Sequence, residues 1–344
     1  MSASSNEEDL ELTRQIILAH IAKMNQQQDH HTEETGKDEE DTVMDPTQKE
    51  QNPSSSSSSL SSVSTTVIDT PTRIYHVPPR PAQDLLLRVA LGESPDTCTQ
   101  TPVWLFRQAG RHLPEYNEYK KQVGRSFLEM LFHPTDVAEC TMQPLRRYHV
   151  DAAILFSDIL VLPQALGIDI TMPGGVGIQV PNPLTSPEDM TLRIPYTVQD
   201  MTPSFVQDKL GYVMESISLI RKKMVEENLD KPLIGFSAAP YTLFYYMIGG
   251  TSKKNTNIGS YWLEHYPEAS RQLLQLLTQL VIEYMTEQIE RGGHALQLFE
   301  AMGMTVNEQE FDKWCLPCLK DIGDTLRRRF GNQVPLMVFA RGAW

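Results

Sequence analysis

The sequence predicts an α/β protein whose parallel sheet belongs to a (β/α)8 barrel. Apolar, strand-like runs alternate with helical patterns along the chain, and strands that alternate with helices form parallel sheets. Polar residues follow these runs, as the catalytic face of a barrel requires at the carboxyl ends of its strands. Five such runs are present, at residues 103–106, 152–156, 233–236, 295–299 and 336–339.

Four helices are predicted between and after these runs. The first, at 134–148, has a proline in its first turn, and the third, at 271–291, is stopped by two glycines. The others lie at 206–227 and 307–329. The segment 168–180 interrupts the alternation and predicts a hairpin around a glycine-rich turn. These glycines do not open a helix, so a phosphate-binding loop is disfavoured. Four apolar side chains are expected to face the barrel interior: Val103, Leu105, Leu296 and Leu336.

The first 78 residues differ in composition from the rest and predict a disordered tail before a barrel domain at 79–344. Residues 1–70 contain 14 acidic and four basic side chains, so most of the net charge of −14 belongs to the tail. A serine- and threonine-rich stretch there cannot bury enough surface to offset the entropy of ordering. Apolar residues at helical spacing indicate one short helix at 7–26, either a docking element or a transient solvated helix.

Composition excludes several classes of protein. An acidic chain lacks the basic footprint of nucleic-acid binding. No apolar run approaches the roughly 20 residues of a membrane span, and the acidic start fits neither a secretory signal nor a transit peptide. Four cysteines indicate a reducing compartment, so we expect a cytoplasmic protein, with a plastid left open. Cys315 and Cys318 have no second pair at zinc spacing, and no metal site is expected.

Two arginines four residues apart follow the first strand-like run. Arg107 and Arg111 flank Gln108, Ala109 and Gly110. Guanidiniums at this spacing can hold more than one carboxylate through paired hydrogen bonds, which predicts a site for a polycarboxylate. The structural alternative is that one arginine pairs with a local acid, such as the carboxylate at position 115.

The stretch around these arginines is similar to the opening of the catalytic domain in the uroporphyrinogen decarboxylase family. That opening has an arginine, Gln-Ala-Gly, a second arginine and an aromatic-Leu-Pro-Glu sequence, matched here by residues 107–115. The resemblance extends from Arg80 to the end of the chain. Three further segments are similar to the other signatures of the family: 156–160 with 163–167, 235–243 with Tyr246 and Met247, and 297–300.

The resemblance implies a cofactor-free carboxy-lyase of porphyrin biosynthesis, on the path to haem and chlorophyll. Members of the family convert the four acetate side chains of uroporphyrinogen III stepwise into the methyls of coproporphyrinogen III. Protonation of a pyrrole carbon creates the electron sink that a cofactor would otherwise supply. The expected partner is therefore a small-molecule tetrapyrrole. The family tends to be dimeric, which leaves a homodimer open.

The resemblance also assigns roles to four residues. Asp158 lies under the tetrapyrrole, accepts its pyrrole N–H groups and stabilises the cationic intermediate. Arg107 and Arg111 grip the acetate and propionate groups, and Arg107 is a candidate proton donor although a guanidinium is a poor acid. Tyr246 donates a hydrogen bond from its hydroxyl to the substrate. The residues alone leave simpler interpretations open: Asp158 as a helix N-cap, and Tyr246 as ordinary aromatic packing.

Two departures from the family's pattern leave alternatives open. Ala301 stands where animal-type members carry a serine, so one hydroxyl contact is lost. The chain stops at Trp344, and the family's last three strands and its Gly-His-Gly segment have no counterpart. We therefore expect residues 1–344 alone to be poorly folded and inactive. A non-catalytic truncated product or binding scaffold remains an alternative, as does a cobalamin-dependent methyltransferase of the same superfamily, although its zinc ligands are missing.

Overall fold

The computed structural model describes residues 73–93, 100–173, 177–252 and 257–341. The helix predicted at 7–26 and most of the tail lie outside the described residues, so the domain boundary stays a prediction. The described residues from Tyr75 onward form one compact unit.

The centre of the fold is a parallel sheet of four strands in the order β1-β2-β3-β4. Every neighbouring pair is parallel, with helices along the chain between the strands, as the alternating sequence pattern predicts. The strands are β1 (Ala153–Ile154), β2 (Leu233–Ala238), β3 (Ala295–Glu300) and β4 (Leu336–Ala340).

Helices precede the first strand and connect the strands, and short 3-10 turns occur at Val198–Asp200 and Gly303–Thr305. The helices are α1 (Leu85–Ala90), α2 (Pro114–Val123), α3 (Phe127–Leu131), α4 (Pro134–Arg147), α5 (Val161–Ala165), α6 (Pro187–Arg193), α7 (Pro203–Glu226), α8 (Pro240–Gly249), α9 (Ile258–His265), α10 (Pro267–Glu290), α11 (Glu308–Glu310) and α12 (Leu316–Phe330).

Three of the four predicted helices are present as α4, α7 and α10. Each begins with a proline, whose missing N–H costs nothing in the first turn of a helix. The fourth, predicted at 307–329, is interrupted by a wider π-type turn at Phe311–Cys315 between α11 and α12. Pro317 lies two residues after the end of that turn and cannot donate a backbone hydrogen bond, which gives a physical reason for the interruption.

The first predicted strand, at 103–106, is absent from the sheet, and this prediction was wrong. Val103 instead forms two hydrogen bonds with Asp151, both 2.7 Å long. The backbone N–H of Val103 donates to the Asp151 carboxylate, and the backbone N–H of Asp151 donates to the carbonyl of Val103. The neighbouring edge of β1 is occupied by a side chain, because the amide of Gln108 bonds to the backbone of Ala152 and Ile154. A strand ladder at this edge would need the same backbone groups.

The predicted inward face of two strands was also wrong. Leu336, which pairs with Leu296 across β3 and β4, faces α12: its Cδ2 lies 3.9 Å from where a side chain on Gly323 would begin. Phe299 and Phe339 pair three residues further along and therefore lie on the opposite face, with ring centroids 6.1 Å apart. Both faces of these strands are apolar, so the sequence pattern could not distinguish them.

A layer of helices covers the face of the sheet opposite Phe299 and Phe339. The 24-residue α10 packs against β2, α7, α8 and α12, and α4 packs on α7. Within the described part of the chain, no helix combines the length and apolar character needed to cross a membrane. The predicted hairpin contains one antiparallel bridge, between Thr171 and Gln179, whereas residues 174–176 at its tip lie outside the described residues.

Candidate active site at the strand ends

Polar residues follow the carboxyl ends of the strands, on one edge of the sheet. Asp158 lies beyond β1, Tyr246 lies on the helix that follows β2, Glu300 ends β3 and Arg341 follows β4. Because the strands are parallel, these ends point the same way, and the structure brings Asp158 and Arg341 each within electrostatic reach of Tyr246.

Asp158 is half-buried among apolar neighbours. Its Oδ1 accepts a hydrogen bond of 2.7 Å from the backbone N–H of Leu160, which fixes the carboxylate in a tight turn before α5. Burial raises the pKa of Asp158 to about 7, and the Leu160 hydrogen bond opposes this increase. The N-cap of α5 is Leu160, so Asp158 does not fill the cap position that the alternative interpretation assigned to it.

Tyr246 is almost completely buried, with 7% of its surface exposed. Burial raises the pKa of its hydroxyl, and the Asp158 carboxylate raises it further. A hydrogen bond with Ser252 and the charge of Arg341 lower it. The Tyr246 hydroxyl therefore lies within electrostatic reach of Asp158 and Arg341 and is hydrogen-bonded to Ser252.

Two more tyrosines that the sequence did not single out lie near Asp158. Burial raises the pKa of Tyr212, on α7, to about 12, and the Asp158 carboxylate contributes to the increase. Burial likewise raises the pKa of Tyr284, on α10, with smaller effects from Tyr212 and Asp158 and an opposing hydrogen bond with Ser157. Their positions in the sequence fit ordinary amphipathic helices and carry no signal of a site. They come close to Asp158 only through the packing of α7 and α10.

Arg107 and Arg111 are exposed, and among the described residues no carboxylate forms an ion pair with either. The local acid considered in the structural alternative, Glu115, pairs instead with Arg147 at 2.6 Å. Gly110, at φ 135°, adopts a conformation that other residues rarely adopt and turns the chain between the two arginines. Both guanidiniums are therefore available to an anionic ligand.

Phenylalanine side chains form an apolar wall on the face of the sheet opposite the helix layer. Phe106, directly before Arg107, packs against Phe299 and Phe339 with centroid distances of 5.2 and 5.1 Å, and Phe236 joins Phe299 at 5.6 Å. Phe106 is 46% exposed and Phe339 39% exposed. Partly exposed aromatic rings beside unpaired guanidiniums suit a ligand with an apolar body and anionic substituents.

No group of three or more metal-binding side chains occurs in the described ranges. Cys315 is buried, and the Sγ of Cys318 donates to the backbone carbonyl of Trp314 at 3.3 Å. Burial raises the pKa of both thiols, which disfavours the thiolate form that a metal or a redox partner would need.

A parallel α/β fold with a carboxylate and a buried tyrosine beyond its strand ends, and with two exposed arginines in the loop before α2, defines the class of protein: an α/β protein with an enzyme-type site at the carboxyl ends of its strands. A sequence model of the uroporphyrinogen decarboxylase family matches residues 81–344. The chain belongs to this family.

Individual relatives agree with the family match. The uroporphyrinogen decarboxylase of Schizosaccharomyces pombe is 40% identical over 77% of this chain and 72% of its own length. Those of Salinibacter ruber and Homo sapiens are 40% and 39% identical, each over 76% of this chain and 69% of their own length. A methyltransferase from Methanosarcina mazei has a similar structure, with a TM-score of 0.57 over 76% of this chain and 70% of its own; at 18% identity the likeness concerns the fold alone.

Proposed function

We propose that the protein is a uroporphyrinogen decarboxylase that uses Asp158, Arg107, Arg111 and Tyr246 on its substrate. The activity agrees with the family and with relatives about 40% identical over most of the chain. The reaction removes four carboxyl groups in turn and needs no cofactor. In each round a proton adds to a pyrrole carbon, and the bond between the side-chain methylene and the carboxylate breaks so that its electron pair neutralises the cationic ring and carbon dioxide leaves. A proton then adds to the exocyclic methylene to give a methyl group, and the ring carbon releases the proton that it had gained.

The observation that carries the proposal is the setting of Asp158. The carboxylate accepts a hydrogen bond from the backbone N–H of Leu160, is half-buried, and lies within electrostatic reach of three buried or half-buried tyrosines, Tyr212, Tyr246 and Tyr284. A carboxylate fixed in such surroundings stabilises a nearby cation more than one in water does. Because its pKa is raised to about 7, the carboxyl without ligand gains a proton near neutral pH. Hydrogen bonds from the pyrrole N–H groups of the substrate would favour the ionised form.

The arginines serve a different step, the recognition of the side chains. Uroporphyrinogen carries a carboxylate on every acetate and propionate, and each loses water on entering the site. Arg107 and Arg111 supply fork-shaped donors that match these carboxylates, and neither must first release an acidic partner. The first proton donor is not assigned by this arrangement, since the exposed Arg107 is a poor acid.

Tyr246 and the phenylalanine wall support the same orientation of the substrate. The wall formed by Phe106, Phe236, Phe299 and Phe339 offers apolar contact to one face of the macrocycle. The buried Tyr246 hydroxyl lies in reach of the charge of Asp158 and offers one donor for a substrate carboxylate. In place of the serine of animal-type members, Ala301 adds no hydroxyl.

An anaerobic assay tests the proposal directly. The purified protein, extended at its C-terminus to the length of its relatives, is incubated with chemically reduced uroporphyrinogen III, and the products are oxidised and separated by their number of carboxyl groups. We expect successive intermediates and then coproporphyrinogen. A folded protein that binds uroporphyrinogen without releasing carbon dioxide would favour the alternative that the sequence leaves open, a non-catalytic binding scaffold.

Two finer points are also proposals. The family resemblance supports a homodimer, which sedimentation at several protein concentrations would test. The cysteine usage supports the cytoplasm, with a plastid as the alternative, and cell fractionation would distinguish the two. Nucleic acid is not expected as a partner, because the chain is acidic overall.

A further inference from the structure

A fully buried carboxyl group lies at the end of β3, outside the set of residues assigned above. Glu300 is 1% exposed. Its Oε1 accepts hydrogen bonds from the hydroxyl of Thr242, at 2.6 Å, and from the backbone N–H of Met302, at 3.0 Å. Its Oε2 is buried and has no partner in the described residues. The side chain faces the helix layer, because Phe299 faces the opposite side of the strand.

Burial favours the neutral form of the Glu300 carboxyl, whereas the groups that donate hydrogen bonds to it favour the ionised form. The unpaired Oε2 is costly in either form, because an ionised oxygen loses its hydration and a neutral O–H lacks an acceptor. The titratable groups packed around it are Tyr241 on α8, Cys315 before α12 and Cys318 on α12, and none supplies a positive charge. Burial correspondingly raises the pKa of Glu300 to about 7.

Thr242 connects this carboxyl to the helix that carries Tyr246. Its Oγ1 donates to Glu300 and accepts from the backbone N–H of Ala301 at 2.8 Å, so both hydroxyl functions are used. Thr242 and Tyr246 lie four residues apart, one turn along the same face of α8. Fixing Thr242 against the end of β3 therefore fixes both the rotation of α8 and its position along the axis at Tyr246.

The same end of α8 is held at two further points, one in β3 and one in the loop after it. The backbone N–H of Ala239 donates to the carbonyl of Phe299 at 2.9 Å, and the hydroxyls of Tyr241 and Thr305 lie 3.2 Å apart. These bonds fix the start of the helix, but only the Thr242 contact ends on a buried carboxyl.

We infer that Glu300 is a positioning residue for the decarboxylation: through Thr242 it fixes α8 so that the Tyr246 hydroxyl stays beside Asp158. The inference rests on the proposed function, because it assigns Glu300 and Thr242 to the same site. It requires the hydrogen-bonding pattern of the Glu300 side chain and does not require a negative charge.

The first experiment compares two substitutions of Thr242 in the purified protein. Thr242→Ser retains the hydroxyl, whereas Thr242→Val has the same shape and cannot hydrogen-bond. We expect Thr242→Val to lower kcat about tenfold or more, as misplaced groups do, and to change KM little. Thr242→Ser should retain the parental kcat. Equal kcat values for both variants and the parent would overturn the inference.

The second experiment compares Glu300→Gln with Glu300→Ala. Glutamine keeps an acceptor oxygen for Thr242 and Met302 and cannot ionise, so we expect near-parental kcat at neutral pH. Glu300→Ala removes this acceptor, so we expect its kcat to fall as in Thr242→Val. Loss of activity in Glu300→Gln comparable with Glu300→Ala would show that the charge is needed and would contradict the inference.

A third measurement, without substrate, separates this inference from the proposed function. The protein is labelled with 3-fluorotyrosine, and the Tyr246 fluorine resonance is assigned by its loss in Tyr246→Phe. We expect the resonance to shift in folded Thr242→Val and to stay in place in Thr242→Ser. An inactive parent with this pattern would contradict only the proposed function. An active parent with an unmoved resonance in Thr242→Val would contradict only the positioning role.

Discussion

The side-chain amide of Gln108 completes the edge of β1 at Ala152. Its Nε2 donates to the carbonyl of Ala152 at 2.7 Å, and its Oε1 accepts the N–H of Ile154 at 3.2 Å. Gln108 is 1% exposed and lies between the two arginines of the site. The amide therefore replaces a strand ladder and anchors the loop that presents Arg107 and Arg111.

Gln108→Leu should destabilise the protein and weaken substrate binding together. Leucine has a similar volume but leaves two buried backbone groups without partners, at a cost of about 1–3 kcal/mol for each group left unsatisfied. Chemical denaturation would show the loss of stability, and steady-state kinetics would show a higher KM. The exposed Gln122→Leu is the matched control, for which we expect changes within about 0.5 kcal/mol. Parental stability in Gln108→Leu would contradict the anchoring role.

Arg107→Lys and Arg111→Lys should each raise KM for uroporphyrinogen although the charge is retained. A lysine ammonium is a point donor and cannot form the paired contact of a guanidinium with a carboxylate. Arg147→Lys serves as the control, because Arg147 already pairs with Glu115 on the surface. If both site variants keep the parental KM and kcat while remaining folded, these arginines do not contact the substrate.

The alternation of apolar runs was enough to predict the parallel sheet, since a buried strand and an amphipathic helix have different periods. The same signal failed at 103–106, because an apolar run does not show whether a neighbouring edge is free. Here Gln108 occupies the edge of β1, and a side-chain amide in that role has no sequence signature.

The site was predictable where residues follow strands and not where helices pack across them. Asp158 could be located from its position after an apolar run, and its role remains a proposal. Tyr212 and Tyr284 reach Asp158 from helices separated from it by many residues, so their proximity depends on tertiary packing. Glu300 was visible as a polar residue at a strand end, but its bond to Thr242 was not.

Stability should decrease as pH rises between about 4.5 and 7, in part because of Glu300. The folded pKa of Glu300 is raised from 4.5 to about 7, so in this window the folded state keeps a proton that the unfolded state has lost. One such group gives a slope of at most about 1.4 kcal/mol per pH unit. Asp158 is raised from 3.8 to about 7 and adds a contribution of the same sign, weakened by its partial exposure.

Urea unfolding at several pH values across this window measures that slope. Glu300→Gln removes one titrating proton, so its free energy of unfolding should depend less on pH than that of the parent. A parental slope in Glu300→Gln would mean that Glu300 is ionised in the folded protein, contrary to the effect of burial on its pKa.

Asp158→Asn, compared with the parent in the anaerobic assay, tests the central claim most directly. The amide can still accept hydrogen bonds but cannot offset the positive charge that develops on the pyrrole ring. We expect kcat to fall about 100-fold or more, since one group that stabilises transition-state charge contributes about 2.7–4 kcal/mol, while the affinity for uroporphyrinogen changes much less. A folded Asp158→Asn variant that forms coproporphyrinogen at the parental rate would contradict the account.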